Sequence, residues 1–236
     1  ALAAMQESFL PIEGVLPDAM GSGAQNVDLL AGLAIRRPDR ARSGFYVDTS
    51  GGVLTTAGAV DKCARITLGE EIAMSVGGID TALGVAYLRP EQAIAPLASA
   101  RMAAIEPRLQ SGIAVAGFSF GGVLTAPSLT YGTFSDVKGL DGDARVQRLE
   151  VVSEPSDAGG PVFEESGAVM GMLLDAKDGA RQLPGNVAFA LDASVLSEFL
   201  AANGVAMPVS SEAGNLAPED LTLLATDMTV LISCWN

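Results

Sequence analysis

The stretch that decides the fold reads Ser156-Asp157-Ala158-Gly159-Gly160-Pro161-Val162. Its glycines and proline are residues of a tight turn, which leads directly into the short apolar run Pro161–Phe163. Similar short runs, separated by turn residues, recur on both sides of it. They are Ser43–Val47, Val53–Thr55, Ala64–Leu68, Val85–Leu88, Gly112–Ala116, Thr130–Phe134, Gln147–Val152, Val169–Leu174 and Val187–Ala190. Many short strands of this kind indicate an all-β barrel or sandwich rather than a doubly wound sheet.

Two segments near the C-terminus look helical. Ala193–Ala202 carries apolar residues at helical spacing, and Pro218–Thr226 opens with Pro-Glu-Asp, a composition typical of a first helical turn. The apolar stretch Thr229–Trp235 that follows is predicted to be a final strand. Residues 1–32, which are interrupted by prolines and by a Gly-Ser-Gly, are interpreted as a linker or packed extension.

The opening stretch resembles the G-D/N-S-G-G-P nucleophile loop of the trypsin-like serine proteases. Further segments resemble other parts of that family in the same order: the G-S-G-F strand, the V-L-T-N-A-H-V-V histidine segment, the D-L-A-L-L-R aspartate segment, and the G-x-V-V-G and N-x-x-F-A strands. These segments are Ser43–Val47, Val53–Val60, Gly84–Arg89, Gly167–Gly171 and Asn186–Ala190. The resemblance covers about residues 33–204 and is closest in texture to bacterial members.

The resemblance implies two antiparallel six-stranded β-barrels. The barrels are expected at about residues 33–105 and 106–192, followed by a helix at about 193–202. Together they make a domain over residues 33–204, with an N-terminal extension at 1–32 and a C-terminal extension at 205–236 that holds the short helix and the final strand.

The same alignment places residues without catalytic chemistry at all three triad positions. Gly58 stands where the family has its general base, Gly84 where it has the orienting carboxylate, and Ala158 where it has the nucleophile. Glycine and alanine perform none of these roles. The family's oxyanion-hole glycine is replaced by Ser156, whose Cβ restricts the positive φ angles that glycine permits. The resemblance therefore implies an inactive homologue.

Composition supports this interpretation and excludes other classes of function. The 236 residues include no histidine, so the usual general base of serine and cysteine hydrolases and the commonest zinc ligand are both missing. Two cysteines are too few for a cysteine-based metal site, and no metal or cofactor is expected. A net charge of −14 disfavours nucleic acid and anionic lipid surfaces as partners. No apolar run approaches the ~20 residues that span a bilayer.

Three other motifs have ordinary structural interpretations. Gly117–Gly121 reads G-F-S-F-G, like the nucleophile elbow of α/β-hydrolases, but that fold needs a following helix and a later histidine. The lysines of a Ser/Lys dyad could only be Lys62, Lys138 or Lys177, and none has a recognisable dyad spacing. Asp141 and Asp143 stand in a glycine-containing turn without the EF-hand pattern.

Two hypotheses about function remain. The first is a non-catalytic binding or structural module that keeps the former substrate cleft, near Ser153, Ser156 and Asp157, as a surface for a protein or peptide partner, within a larger complex or alone. Strand addition requires no catalytic residue, so it is the simplest mode of binding there. The second is a hydrolase with an active site of another kind.

Cys63 and Cys234 are the only cysteines, and two arrangements are open for them. They could be separately buried free thiols, since free cysteine is a common core residue. The favoured prediction is one disulfide that ties the C-terminal tail to the first barrel. A disulfide implies an oxidising compartment, which agrees with the export of bacterial relatives to the periplasm or beyond.

Overall fold

A computed structural model describes residues 37–104, 107–140, 142–176, 183–210 and 214–236. Residues 38–236 form one compact unit built on two six-stranded antiparallel β-barrels. The predicted all-β, double-barrel architecture is confirmed. The N-terminal extension predicted at 1–32 lies outside the described residues. No helix among the described residues is long and apolar enough to cross a membrane.

The first barrel takes its strands from both ends of the described chain. Its strands are β1 (Arg40–Tyr46), β2 (Val53–Thr56), β3 (Arg65–Leu68), β4 (Ile72–Asp80), β5 (Val85–Pro90) and β14 (Thr229–Trp235). They close in the order β1-β14-β3-β4-β5-β2. Inward-facing side chains such as Val53, Leu88 and Ile232, each fully buried, form its core.

Strand β14 is an integral part of this barrel, although the sequence assigns residues 229–235 to a C-terminal extension. It pairs antiparallel with β1, from Arg40 opposite Cys234 to Phe45 opposite Thr229, and on its other side with β3. A helix, α3 (Pro218–Met228), leads into it and buries Leu221, Ala225 and Met228. The barrel therefore closes without any residue that precedes Arg40.

The predicted disulfide is present and fastens this last strand. Cys63 and Cys234 are bonded with their Cα atoms 5.3 Å apart and 171 residues apart in sequence. Closing so long a loop restricts the unfolded chain, and the chain-entropy model gives an upper bound of ~5 kcal/mol for its stabilisation.

The second barrel is formed by a continuous part of the chain. Its strands are β7 (Gly112–Gly117), β8 (Ser128–Asp136), β9 (Val146–Glu150), β10 (Pro161–Glu164), β11 (Val169–Leu173) and β12 (Val187–Asp192). The sheet runs β10-β7-β8-β9-β12-β11 and closes because β10 also pairs with β11. Two short strands, β6 (Met102–Ala103) and β13 (Val209–Ser210), extend it in parallel beyond β11.

Helix α2 (Ala193–Ala202) follows β12 without a loop because Asp192 is both the last strand residue and the helix N-cap. Its carboxylate accepts a hydrogen bond from the Ser194 backbone N–H, which would otherwise have no partner in the helix. Leu196 and Leu200 are fully buried against the barrels.

Strand β4 is the one long strand that the sequence patterns do not predict. It contains Gly77 and Gly78 and has no clear alternation, with an irregular register between Val76 and Gly78. A Cβ on Gly77 would come 2.8 Å from the Tyr87 ring. Close backbone approach therefore explains a glycine inside this strand.

Candidate functional site

The structure brings Gly58, Gly84 and Ala158 to one place between the two barrels. Gly58 lies in α1 (Ala57–Val60), a single helical turn directly after β2. The Ala57 N–H donates to the carbonyl oxygen of Gly84 at 3.0 Å, which places the segment before β5 beside this turn. The Ser43 N–H donates to the carbonyl oxygen of Ala158, also at 3.0 Å, which ties the second barrel to β1.

Gly159 explains how closely the two barrels meet here. Its φ is +90°, and a Cβ on it would lie 2.2 Å from the Ser43 carbonyl oxygen and 3.1 Å from the Thr56 nitrogen. Only glycine combines this backbone conformation with so close an approach. The Gly-Gly-Pro turn is therefore required by the packing of the barrels, whatever chemistry its neighbour performs.

The space beside Gly58 is filled by an acidic side chain. The Asp175 Oδ2 atom lies 2.6 Å from the point where a Cβ on Gly58 would stand. The other Asp175 oxygen, Oδ1, accepts a hydrogen bond from Arg42 Nε at 2.9 Å, and the side chains of Arg42 and Asp175 are 23% and 35% exposed. Because Arg42 belongs to β1 and Asp175 follows β11, this half-buried ion pair joins the two barrels across the site.

Two further contacts complete the surroundings of the glycine positions. The Leu174 Cδ2 methyl lies 3.6 Å from the point where a Cβ on Gly84 would stand, and Gly84 has a φ of +77°. The Arg40 guanidinium donates to the carbonyl oxygens of Gly58 and Asp61. The site thus holds an ion pair, a second arginine and an apolar side chain.

The loop that precedes Ala158 is fixed by hydrogen bonds within itself and to other parts of the protein. Pro155–Asp157 form a 3₁₀ turn with a capping box, in which the Asp157 carboxylate accepts from the Glu154 N–H. Ser156 is 8% exposed, its Oγ accepts from the Gly121 N–H at 3.1 Å, and its carbonyl oxygen accepts from Ser43 Oγ at 2.8 Å. Ser156 thus has helical backbone geometry instead of the positive φ that a glycine would permit.

The three residues predicted to line the former cleft are placed differently from one another. Ser156 and Asp157 are buried, and their side chains bond to the protein's own loops. Ser153 lies half-buried in the segment between β9 and the 3₁₀ turn, next to Val152, which is 63% exposed.

Ser119, the serine of the G-F-S-F-G motif, is buried and hydrogen-bonded to other side chains of the protein. Its Oγ donates to Asp157 Oδ1 at 2.8 Å and lies 2.8 Å from Ser128 Oγ, and the residue is 8% exposed. A 3₁₀ segment at Ser119–Gly122 and then strand β8 follow β7, in place of the helix that a nucleophile elbow requires.

The remaining candidates lie on the surface or outside the described residues. The Lys62 side chain is 88% exposed and its Nζ is 4.0 Å from Asp61 Oδ2. Asp143 pairs with Arg145 at 2.8 Å. Asp141 and Lys177 fall outside the described residues.

Comparison with known proteins identifies the family. The family model described as a trypsin-like peptidase domain matches residues 42–172, more than half of the chain, and this range includes Gly58, Gly84 and Ala158. The chain belongs to the trypsin-like peptidase family.

Solved structures agree with this trypsin-like fold, and a longer protein is similar in sequence over most of the chain. The active form of the Rv3671c protease from M. tuberculosis superposes with a TM-score of 0.55 at 23% identity, over 72% of this chain and 76% of that one. The serine endoprotease from Yersinia pestis gives 0.58 at 16%, over 72% and 59%. The uncharacterized protein y4bJ of Sinorhizobium fredii is 26% identical over 205 residues, which are 82% of this chain and 32% of y4bJ. This chain thus spans about a third of that relative's length.

Sequence reasoning missed Arg42, Leu174 and Asp175, which contact the positions it singled out. Arg42 directly precedes the Ser43-Gly44 motif, and Leu174 and Asp175 stand three and four residues after Gly171, the last residue of the G-x-V-V-G motif. Their place at the edges of recognised motifs was the only signal available. Nothing in either local sequence indicates that Arg42 and Asp175, 133 residues apart, form a pair.

The Arg42–Asp175 pair is expected to stabilise the joined barrels measurably. Replacing Asp175 by alanine leaves the Arg42 guanidinium half-buried without its partner, so Asp175→Ala should lower the free energy of unfolding by about 1–2 kcal/mol. Urea denaturation followed by circular dichroism measures it. Lys62→Gln, which removes an exposed pair, is the matched control and should change stability by less than about 0.5 kcal/mol. Equal effects of the two variants would mean that the pair contributes nothing.

Proposed function

We propose that this trypsin-like chain is a non-catalytic pseudoprotease that binds a protein or peptide partner. The observation that carries the proposal is the set of residues at the three triad positions, Gly58, Gly84 and Ala158, in a chain without histidine. The family's mechanism needs a nucleophile, a base to take its proton and a carboxylate to orient the base. Loss of such a triad costs on the order of 10⁶ in kcat.

The surroundings of the site support this reading. A carboxylate, Asp175, lies over Gly58, where a catalytic base would need its side chain to stand. A leucine, Leu174, faces Gly84, so the setting of the former carboxylate position is apolar on that side. An ion pair and an aliphatic side chain suit a structural connection between barrels better than proton transfer.

Backbone strand addition is the binding mode that we propose for the cleft. In the sheet pairing, β2 contacts only Gly44–Tyr46 of β1, whereas Arg40–Arg42 pair with β14 on one side. The segment after β11 likewise bonds to β12 through Leu174, whose N–H donates to the Phe189 carbonyl oxygen at 2.9 Å. Both segments flank the cleft, and an extended peptide needs only main-chain groups to pair with them.

We also propose that the protein is exported and functions within a larger chain or assembly. The Cys63–Cys234 disulfide is stable in an oxidising compartment and is uncommon in the cytosol. The relative y4bJ is about three times as long as the part this chain matches, which favours a module within a larger protein.

Fluorophosphonate probes are expected not to label the protein. They need an activated serine, and Ser119 Oγ is engaged with Asp157 and Ser128 while no histidine is available to activate another. Mass spectrometry of probe-treated protein, beside an active trypsin-like protease as positive control, measures this. Labelling or peptide turnover would contradict the proposal and support a hydrolase of another kind. Ser119→Ala and Ser153→Ala would then identify the nucleophile, because its loss abolishes the reaction.

A further inference from the structure

The loop between β7 and β8, residues 118–127, turns a polar side chain inward and its large apolar ones outward. Ser119 is buried and bonds to Asp157, whereas Phe120 is 64% exposed, Val123 80% and Leu124 48%. Single exposed apolar residues are common on protein surfaces, but several on one short loop mark an interaction site. The loop therefore presents an apolar surface to something outside the chain.

This loop is fixed beside Ala158. The Phe118 N–H donates to Ser43 Oγ at 2.8 Å, and the Gly121 N–H donates to Ser156 Oγ at 3.1 Å. Ser43 in turn donates its N–H to the Ala158 carbonyl oxygen. The apolar side chains thus project from a backbone that is tied to the former catalytic position, and ordering them for binding costs little entropy.

Phe120 has a backbone conformation that its side chain does not favour. Its φ is +62° and its ψ is 26°, which lie in the left-handed region that glycine and asparagine adopt more readily than phenylalanine. Strain of this kind is concentrated at ligand clamps and other functional sites. Because most of the side chain is exposed, core packing does not account for a phenylalanine here, whereas contact with a partner does.

The sequence around the loop carries no charge. No charged residue stands between Arg108 and Asp136, the longest uncharged interval in a chain whose net charge is −14. A charged group of a partner would lose hydration on this surface without meeting an opposite charge from that interval. The matching surface of the partner is therefore uncharged and apolar.

We propose that the β7–β8 loop is an apolar anchor for the peptide partner of the cleft, and that this peptide carries a large aliphatic or aromatic side chain with uncharged neighbours. Phe120 and Val123 receive that side chain. The loop is bonded to Ser43 and Ser156, on either side of the Ala158 contact, so a segment in the cleft lies next to it. The proposal rests on the binding function proposed above and adds the chemistry of the partner.

Selection from a random dodecapeptide phage library on the immobilised full chain tests this. The enriched peptides should share a large apolar residue flanked by uncharged ones. With the best of them as a synthetic peptide in fluorescence polarisation, Phe120→Asn combined with Val123→Ser should weaken binding at least about tenfold. Leu97→Ser removes an apolar side chain that is 85% exposed on another loop, and as the matched control it should leave binding unchanged.

Changes in the peptide keep the result decisive if the double variant does not fold. Replacing the large apolar residue of the selected peptide by aspartate should weaken its binding to the unaltered protein at least about tenfold. On Val123→Ser alone the same replacement should have a smaller effect, because the two side chains no longer meet.

The outcomes separate this inference from the function on which it rests. A selected peptide that binds the unaltered chain and the loop variant equally overturns the role of the loop and leaves peptide binding at the cleft standing. Failure to enrich any peptide overturns both. Dimerisation in sedimentation velocity, or binding to phosphatidylcholine vesicles, that is lost in the loop variant while peptide binding is kept would assign the loop to a second copy or to a lipid surface, and would overturn the proposal.

Discussion

Removal of residues 229–236 is expected to leave the protein without a stable fold. Strand β14 lies between β1 and β3 and hydrogen-bonds to both, so its loss opens the first barrel and exposes two strand edges. It also removes the disulfide and the fully buried Ile232 side chain. The variant should be insoluble or lack a cooperative unfolding transition.

A point substitution tests the contribution of β14 to stability without shortening the chain. Ile232→Asp keeps the disulfide and Trp235 but places a carboxylate in the barrel core, and should cost more than about 4 kcal/mol. Leu223→Asp, at a position of α3 that is 65% exposed, is the matched control and should be close to neutral. Denaturation is best followed by circular dichroism, because the deletion removes the single tryptophan.

Deletion of residues 1–36 is the control for truncation itself. The first barrel is complete from Arg40 onward, so this variant should keep its cooperative transition. Stable folding without residues 229–236, or an equally large loss on Ile232→Asp and Leu223→Asp, would show that β14 does not hold the barrel together.

Restoring the triad residues alone is expected not to restore activity. The triple variant Gly58→His, Gly84→Asp, Ala158→Ser returns the side-chain types that the family uses, yet the Asp175 carboxylate occupies the space beside position 58, 2.6 Å from the new Cβ. The φ of +77° at Gly84 strains an aspartate there, and the Leu174 methyl gives its carboxylate an apolar neighbour. The Ser156 turn does not provide the geometry of a glycine at the oxyanion position. The triple variant should therefore react with fluorophosphonate at background rates.

Adding Asp175→Ala to the triple variant tests which obstacle matters most. If the carboxylate is the main one, the quadruple variant should be labelled at least about tenfold faster than the triple, a barrier difference of roughly 1.4 kcal/mol. Ala158→Ser alone serves as the control for an unactivated serine. Efficient labelling of the triple variant would contradict this account, since it would mean that the site rearranges freely around a new histidine.

The double barrel could be predicted from the sequence because its signals are local. Short apolar runs, turn residues and the Gly159-Gly160-Pro161 turn each reflect the conformation of a few neighbouring residues. Motif order then placed Gly58, Gly84 and Ala158, which the structure brings close together. Strand β4 was not predicted because Gly77 and Gly78 weaken the alternation of its apolar residues. Contacts with other elements, such as the Tyr87 ring, explain why glycine stands there.

The sequence by itself determined the strand content and the family, and it is the basis of the proposed loss of catalytic side chains, because all three follow from residue identity and short-range pattern. Tertiary structure alone decided that residues 229–235 complete the first barrel and that Asp175 pairs with Arg42 beside Gly58. The physical reason is that a strand's periodicity specifies which face is buried but not which strand lies beside it. Pairing across 133 residues, or between the last strand and the first, depends on how the whole chain packs.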